Sequence, residues 1–171
     1  EAYIDFGGQS AVALINQYDN LIVVQTMSKA RSLAGMRIGY ALGSAQLIEG
    51  LERVKNSFNS YPLGHLQIAA GIAAFEDEAY FDDTRNQVIA SRDWLSAQLK
   101  GLNFDVLPSA ANFLFIRHEQ NSADAIAAQL RNLGIIVRHF KQPRIEEFLR
   151  ITVGTEAQNQ QLINALENLL E

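Results

Sequence analysis

The segment Leu-Ile-Val-Val-Gln-Thr at positions 21–26, aliphatic or β-branched except at Gln25, constrains the fold more than any other segment. A strand with one face in water alternates apolar and polar residues, whereas a continuous apolar run is typical of a strand covered on both faces. The run therefore predicts a central strand of an α/β fold, in which helices cover a mostly parallel sheet.

Strong helix and strand patterns continue on both sides of this run. A polar loop at residues 27–33 separates it from a second predicted strand at residues 36–43. Before residue 103, apolar spacing predicts helices at residues 11–18, 45–55, 66–75 and 78–102, of which the third is Ala-rich and reads as buried. Ser10 is placed to cap the first of them.

The pattern changes after Gly101 to short strands and short helices. Predicted strands lie at residues 104–107, 112–116, 135–138 and 148–153, with helices at residues 122–133 and after Gly154. Gly134 fits a left-handed helix end, and Thr155 with Gln158 has capping-box spacing. These features predict a small α+β domain at residues 103–171.

Composition excludes several classes of function. The chain has 171 residues, a formal net charge of −5 and no cysteine. An acidic balance makes nucleic acid an unexpected partner, and the lack of cysteine excludes disulfides and thiolate chemistry.

The three histidines show no metal-ligand spacing, so no metal is expected. No apolar stretch approaches the ~20 residues that cross a bilayer. The chain begins at Glu1 without a signal-peptide pattern, so we expect a fragment of a cytoplasmic protein.

Three arginines lie in apolar surroundings: Arg37, Arg138 and Arg150. A buried charge without compensation costs several kcal/mol, so each arginine is expected to face a carboxylate, a phosphate or water. A structural ion pair would explain any one of them. All three together, with a lysine in the loop after a central strand, favour a site for an anionic ligand, because guanidinium groups pair with carboxylate and phosphate oxygens.

Lys29 is the sharpest candidate for chemistry. It alone of four lysines is flanked by two predicted strands. A lysine amine attacks a carbonyl carbon only in its neutral form, which desolvation and nearby cations such as Arg31 and Arg37 favour. The alternative is an ordinary loop lysine, and spacing alone leaves both interpretations open.

Four motifs carry a family resemblance along the whole chain. They are Thr-Met-Ser-Lys-Ala at 26–30 with Leu-Ala-Gly-Met-Arg-Ile-Gly-Tyr at 33–40, Glu-Ala-Tyr at 1–3, Ser-Ala-Ala-Asn-Phe at 109–113, and Leu-Arg-Ile-Thr-Val-Gly-Thr at 149–155. Taken in the order of the chain, they resemble the motifs of the fold-type I pyridoxal-phosphate aminotransferases, closest to the histidinol-phosphate aminotransferase branch. The chain resembles the C-terminal half of such a protein.

The resemblance implies a role for each candidate residue. Lys29 would hold pyridoxal 5′-phosphate as an internal aldimine and move the substrate proton, while Ser28 and Arg37 would bind the cofactor phosphate. Tyr3 would donate to the phenolic oxygen of the cofactor ring. Arg150, assisted by Arg138, would bind the carboxylate or phosphate of the substrate.

The resemblance also implies an organisation and a reaction. Residues 1–76 would be the end of a large cofactor domain, residues 77–102 a connecting helix, and residues 103–171 the small domain. The parent would be a cytoplasmic homodimer that moves an amino group between an amino acid or histidinol phosphate and a 2-oxo acid. A threonine-phosphate decarboxylase of the same fold and a non-catalytic remnant that only folds or dimerises are the alternatives.

Three departures from the family pattern bear on activity and substrate choice. The aspartate expected to pair with the pyridinium nitrogen would precede Glu1 and is not in the sequence. Met27 replaces a frequent phenylalanine, and Arg31-Ser32 replaces a more apolar pair.

Overall fold

The structure is a computed structural model that describes residues 1–170. It divides into two compact units: the first is Glu1–Arg85 and the second begins at Asn86, inside the third α-helix. The elements are β1 Ile22–Thr26, β2 Gly39–Gly43, α1 Ala45–Phe58, α2 His65–Glu76, α3 Glu78–Gly101, β3 Phe104–Val106, β4 Phe113–His118, α4 Ala123–Asn132, β5 Arg138–His139, β6 Leu149–Thr152 and α5 Glu156–Leu170. Short 3₁₀ helices lie at Ile4–Phe6, Ala11–Leu14 and Ala34–Met36.

The first unit contains a two-stranded sheet in which β1 and β2 run antiparallel, with Ile22 opposite Gly43 and Thr26 opposite Gly39. The predicted strand is confirmed, and so is the α/β class. Within residues 1–170 the two strands pair antiparallel, not parallel as expected. The expected coverage of both faces is also absent there, because Val23 is 4% exposed whereas Val24 on the other face is 58% exposed. A β-branched run specifies an extended backbone, but the connection between strands sets the direction of pairing.

Helix α2 is confirmed as a helix but not as a buried one. None of its residues is buried, and Ile68 and Ile72 are 47% and 53% exposed. A helix that is apolar on all sides normally lies inside a protein. Its composition therefore fits a covered position, whereas in this chain the helix is largely open.

The second unit is a four-stranded antiparallel sheet in the order β3-β4-β6-β5, with helices packed against it. β4 and β6 pair with Phe113 opposite Thr152 and Ile116 opposite Leu149. The buried core consists of Leu95, Leu99, Phe104, Leu114, Ile116, Ala123, Ile126, Leu130, Leu149, Ile151, Leu162, Ile163, Ala165 and Leu166. The predicted α+β pattern of this part of the chain is confirmed.

The hydrogen bonds of the structure confirm the capping box predicted at Thr155 and Gln158. The Thr155 N–H donates to Gln158 Oε1 at 2.9 Å, and the Gln158 N–H donates to Thr155 Oγ1 at 3.4 Å. Gly134 has φ of +78°, the left-handed conformation that glycine adopts most readily. Capping of this kind can be predicted from the sequence because it depends on residues only a few positions apart.

Three predicted elements are shorter than expected. The helix capped by Ser10 is the single 3₁₀ segment Ala11–Leu14, the strand expected from residue 36 begins at Gly39, and the strand expected over residues 135–138 is Arg138–His139. No helix within residues 1–170 combines the length and apolarity needed to cross a membrane.

The core of the second unit gives a matched test on one helix. Leu130 is 0% exposed and Leu133, at the end of α4, is 53% exposed. We expect Leu130→Ala to lower the free energy of unfolding by about 2–5 kcal/mol, because it leaves a cavity. Leu133→Ala should change it by less than about 0.5 kcal/mol. Urea unfolding followed by the fluorescence of Trp94 measures both, and equal losses would contradict the assigned core.

Candidate functional site

The turn after β1 is fixed at both ends by backbone hydrogen bonds. The Met27 N–H donates to the carbonyl oxygen of Ile38 at 3.1 Å, and the Leu33 N–H donates to the carbonyl oxygen of Met27 at 2.9 Å. Met27 is 1% exposed and so anchors the turn in the interior of the first unit. At the start of the turn, the Ser28 N–H donates to Thr26 Oγ1 at 3.1 Å, and the two hydroxyl oxygens are 3.0 Å apart.

Lys29 lies on this anchored turn with its side chain exposed. Its Nζ is 5.4 Å from the centroid of the Tyr3 ring. Its neighbour Ala30 is buried, so the backbone is held while the amine points outward. Among the carboxylates of residues 1–170, none is within ion-pair distance of Nζ. The amine is therefore accessible to a ligand.

Tyr3 is placed by the network around Glu1. The Glu1 carboxylate accepts hydrogen bonds from the Ala11 N–H at 2.8 Å and from Gln25 Nε2 at 2.9 Å, which ties the first residues to β1. Burial raises the pKa of Glu1, but the hydrogen bonds from Ala11, Gln25 and Ser10 lower it by more, so the pKa lies below its ordinary value. The carboxylate is thus charged at neutral pH.

Tyr40 on β2 belongs to the same unit. Its hydroxyl donates to Gln25 Oε1 at 2.7 Å. Burial raises the pKa of Tyr40, the Asp5 carboxylate adds to this rise, and the Arg31 guanidinium opposes it. The hydroxyl therefore stays protonated at neutral pH and acts as a donor to Gln25.

Arg37 differs from its prediction in position, and it faces water. It lies between the 3₁₀ helix and β2 rather than in a strand, with φ of +57°. Its side chain is exposed, and Nη1 donates to the carbonyl oxygen of Ala34 at 3.0 Å. The structure thus keeps Arg37 in the first unit with Tyr3, Ser28 and Lys29, but at its surface.

The other two predicted arginines lie in the second unit, directly opposite each other on neighbouring strands. Arg138 of β5 and Arg150 of β6 are paired in register. Arg138 is exposed to water, which is one of the expected alternatives, whereas Arg150 is half-buried and its Nε is buried without a hydrogen-bond partner. Because like charges directly opposite in a sheet repel, this pair favours an anion that would satisfy both.

Two arginines with a structural role were not recognised from the sequence. In the sequence Arg31 is a cation near Lys29 that departs from a more apolar family pattern, yet in the structure its guanidinium contacts two aromatic rings. Arg92 reads as a polar position on an amphipathic helix, yet it is 7% exposed and donates to the carbonyl oxygen of Ala111 at 3.3 Å. Neither contact has a local sequence signal, because the partners come from distant segments.

A metal site is not supported by the described part of the chain. Within residues 1–170, no group of three histidine, aspartate or glutamate side chains is placed to hold a metal ion. The first unit offers an accessible amine at Lys29, hydroxyl groups at Tyr3 and Ser28, and the exposed guanidinium of Arg37, which are suited to carbonyl and anionic ligands.

Comparison with known proteins identifies one family and a close relative. The family model for aminotransferase class I and II matches residues 1–166. The histidinol-phosphate aminotransferase of Aromatoleum aromaticum is 62% identical over 170 residues, which is 99% of this chain and 48% of the relative. The chain therefore spans about half the length of the curated relatives it matches.

Solved structures of about twice the length share the fold. Histidinol-phosphate aminotransferase from Sinorhizobium meliloti, in complex with pyridoxal 5′-phosphate, has a TM-score of 0.85 at 26% identity over 99% of this chain and 47% of its own. L-Threonine-O-3-phosphate decarboxylase from Porphyromonas gingivalis has a TM-score of 0.78 at 25% identity over 99% of this chain and 53% of its own. Both kinds of reaction thus occur on closely similar folds.

The turn offers a test of its own conformation. Ser32 has φ of +57°, a left-handed conformation in which a Cβ costs about 1–2 kcal/mol. Ser32→Gly should raise the stability of the first unit by about 0.5–1 kcal/mol, since this relief exceeds the entropy that glycine adds to the unfolded chain. Hydrogen exchange of the β1 amides measures the change. Ser32→Ala keeps the Cβ and should bring no gain; equal gains from the two variants would contradict the assignment.

Proposed function

Because the chain belongs to the class I and II aminotransferase family, we propose that it forms the Lys29-bearing part of a pyridoxal-phosphate-dependent aminotransferase. The observation that carries the proposal is the accessible Lys29 amine, which stands over the Tyr3 ring on a turn whose backbone is held by buried neighbours. An amine in this position is suited to covalent attachment of an aldehyde cofactor.

The residues of the turn fit such a cofactor. When bound, pyridoxal phosphate supplies an electron sink that stabilises negative charge on the substrate carbon. Lys29 would hold it and then move the substrate proton, while Ser28 and Arg37 would bind its phosphate. The Ser28 hydroxyl and the exposed Arg37 guanidinium are both donors to an anion. Tyr3, next to Lys29, would donate a hydrogen bond to the cofactor ring.

The opposed Arg138 and Arg150 support an anionic substrate. The unpartnered Nε of Arg150 is a buried donor that a carboxylate or phosphate oxygen would satisfy. We propose histidinol phosphate or an amino acid as amino donor and a 2-oxo acid as acceptor, with a place in histidine biosynthesis, since the 62% identical relative is a histidinol-phosphate aminotransferase. The same arginines would serve a phosphorylated amino acid, so decarboxylation is the second candidate, favoured by the likeness to the threonine-phosphate decarboxylase.

Organisation and assembly belong to the same proposal. Residues 1–76 would end the large cofactor domain, residues 77–102 would connect, and residues 103–171 would form the small domain. The whole protein would be a cytoplasmic homodimer. Since this chain is about half as long as its relatives, a folded but inactive remnant is the competing proposal, and the open surface of α2 supports it.

Reductive trapping tests the carrying observation directly. The protein is incubated with pyridoxal phosphate and reduced with borohydride, and the labelled lysines are mapped by peptide mass. We expect nearly stoichiometric label on Lys29, because its amine is accessible beside residues that bind the cofactor. Lys29→Arg should abolish this label, while Lys55→Arg, which removes a lysine ion-paired with Glu52, should leave it intact.

Label spread evenly over all four lysines, or no label at all, would contradict a cofactor pocket in this chain. A fusion to the half of the A. aromaticum relative that this chain does not cover then separates the two proposals. Label on Lys29 only in the fusion supports the remnant, whereas a fusion without such label overturns the family role of Lys29.

The arginine pair predicts a selective kinetic defect. In the same fusion, Arg150→Met should lower kcat/KM for histidinol phosphate about tenfold to a hundredfold, because a hydrogen bond to a charged group contributes about 1.5–3 kcal/mol. Arg131→Met, at an exposed position of α4, is the matched control and should leave kcat/KM unchanged. Release of carbon dioxide from threonine phosphate by the fusion would instead support the decarboxylase. Equal effects of the two substitutions would exclude Arg150 from substrate binding.

A further inference from the structure

We propose that Arg31 is a positioning residue for Lys29: it fastens the turn that carries the amine to the junction of α2 and α3. The cofactor chemistry at Lys29 rests on the proposed function, but the attachment of the turn to α2 and α3 by Arg31 does not. Arg31 follows Lys29 by two residues and departs from the apolar residue that the resemblance leads one to expect.

The guanidinium of Arg31 is held by two aromatic rings. Its central carbon is 4.3 Å from the ring centroid of Phe75 on α2 and 4.0 Å from that of Phe81 on α3. It also donates a hydrogen bond from Nη1 to the carbonyl oxygen of Ala74. Two cation–π contacts and one hydrogen bond fix the side chain on three sides.

The same turn joins Arg31 to Lys29 through the backbone. The Ser32 N–H donates to the carbonyl oxygen of Lys29 at 3.0 Å, which closes the turn around Ala30 and Arg31. A displacement of Arg31 therefore moves the Lys29 backbone with it. The buried Met27 holds the start of the turn, and Arg31 holds the part beyond Lys29.

Space for such a displacement lies beside the turn. A cavity of about 320 Å³ is lined by Ala30, Arg31 and Ser32 on the turn, and by side chains of α2 and α3 that include Ala74 and Phe81. Without the Arg31 contacts, the turn has room to shift toward these helices. Backbone bonds alone would then have to hold the amine in position.

An arginine is needed for this arrangement. A guanidinium is planar, so it offers a face to each ring and still directs N–H groups from its edge. A lysine keeps the charge but has no plane, so it cannot engage both rings and the carbonyl together. Arg31→Lys should therefore keep part of the effect, and Arg31→Met should lose it.

Hydrogen exchange of the turn amides is the deciding measurement on this chain. In Arg31→Met we expect the Ser32 and Leu33 amides to exchange about tenfold faster while the β1 amides keep their rates, with Arg31→Lys in between. The matched control is Arg85→Met. Arg85 lies 5.4 Å from the same Phe81 ring, and its ion pair with Asp82 lies within α3. It should leave the Ser32 and Leu33 rates within about twofold.

Reductive labelling with pyridoxal phosphate gives the second readout. The rate of labelling at Lys29 should fall about fivefold in Arg31→Met, while labelling of Lys100, which belongs to the second unit, stays constant. Unchanged exchange at Ser32 and Leu33 would overturn the inference. So would faster exchange throughout the first unit, which would show a general loss of stability. If wild-type Lys29 takes no label, the proposed function fails, but the exchange rates still decide the role of Arg31.

Discussion

The burial of Met27 is the constraint on which the site depends. Its side chain lies inside the first unit. Its N–H donates to the carbonyl oxygen of Ile38, just before β2, and its carbonyl oxygen accepts from the Leu33 N–H at the end of the turn. Because residue 27 is fixed, Ser28 follows in a defined turn and Lys29 must point outward. Exposed lysines are common on protein surfaces. Lys29 differs because its backbone is fixed while its amine is accessible, and this combination is suited to hold a ligand in one orientation.

Residue types and short spacings were enough to predict much of this molecule. Lys29, its place after a strand, the capping box at Thr155 and the helix end at Gly134 follow from interactions within a few residues. The burial of side chains and the pairing of strands were harder to predict from the sequence. The run that forms β1 encodes a strand, but exposure of Val24 and of α2 depends on what packs against them from elsewhere. Arg37 was expected in a strand, because no residue nearby signals its positive φ.

The arginines show the same division between local and distant information. The sequence identified Arg138 and Arg150 as costly charges, and the register of β5 and β6 places them opposite each other. It did not identify the partners of Arg31, because Phe75 and Phe81 come from helices more than forty residues away, as the hydrogen bond to Ala74 across 43 positions shows. Aromatic residues on a helix indicate packing, but not which cation will lie between them.

The opposed arginines of β5 and β6 also link the folding of the second unit to the solution around it. An anion that binds this pair in the folded chain, and not in the unfolded one, stabilises the unit in proportion to the logarithm of its concentration, by about 2.7 kcal/mol at a hundred times its dissociation constant. The melting temperature in phosphate buffer would then exceed that in a cationic buffer whose counter-anion binds the pair more weakly. The stability of the second unit therefore depends on the identity and concentration of the anion in the buffer.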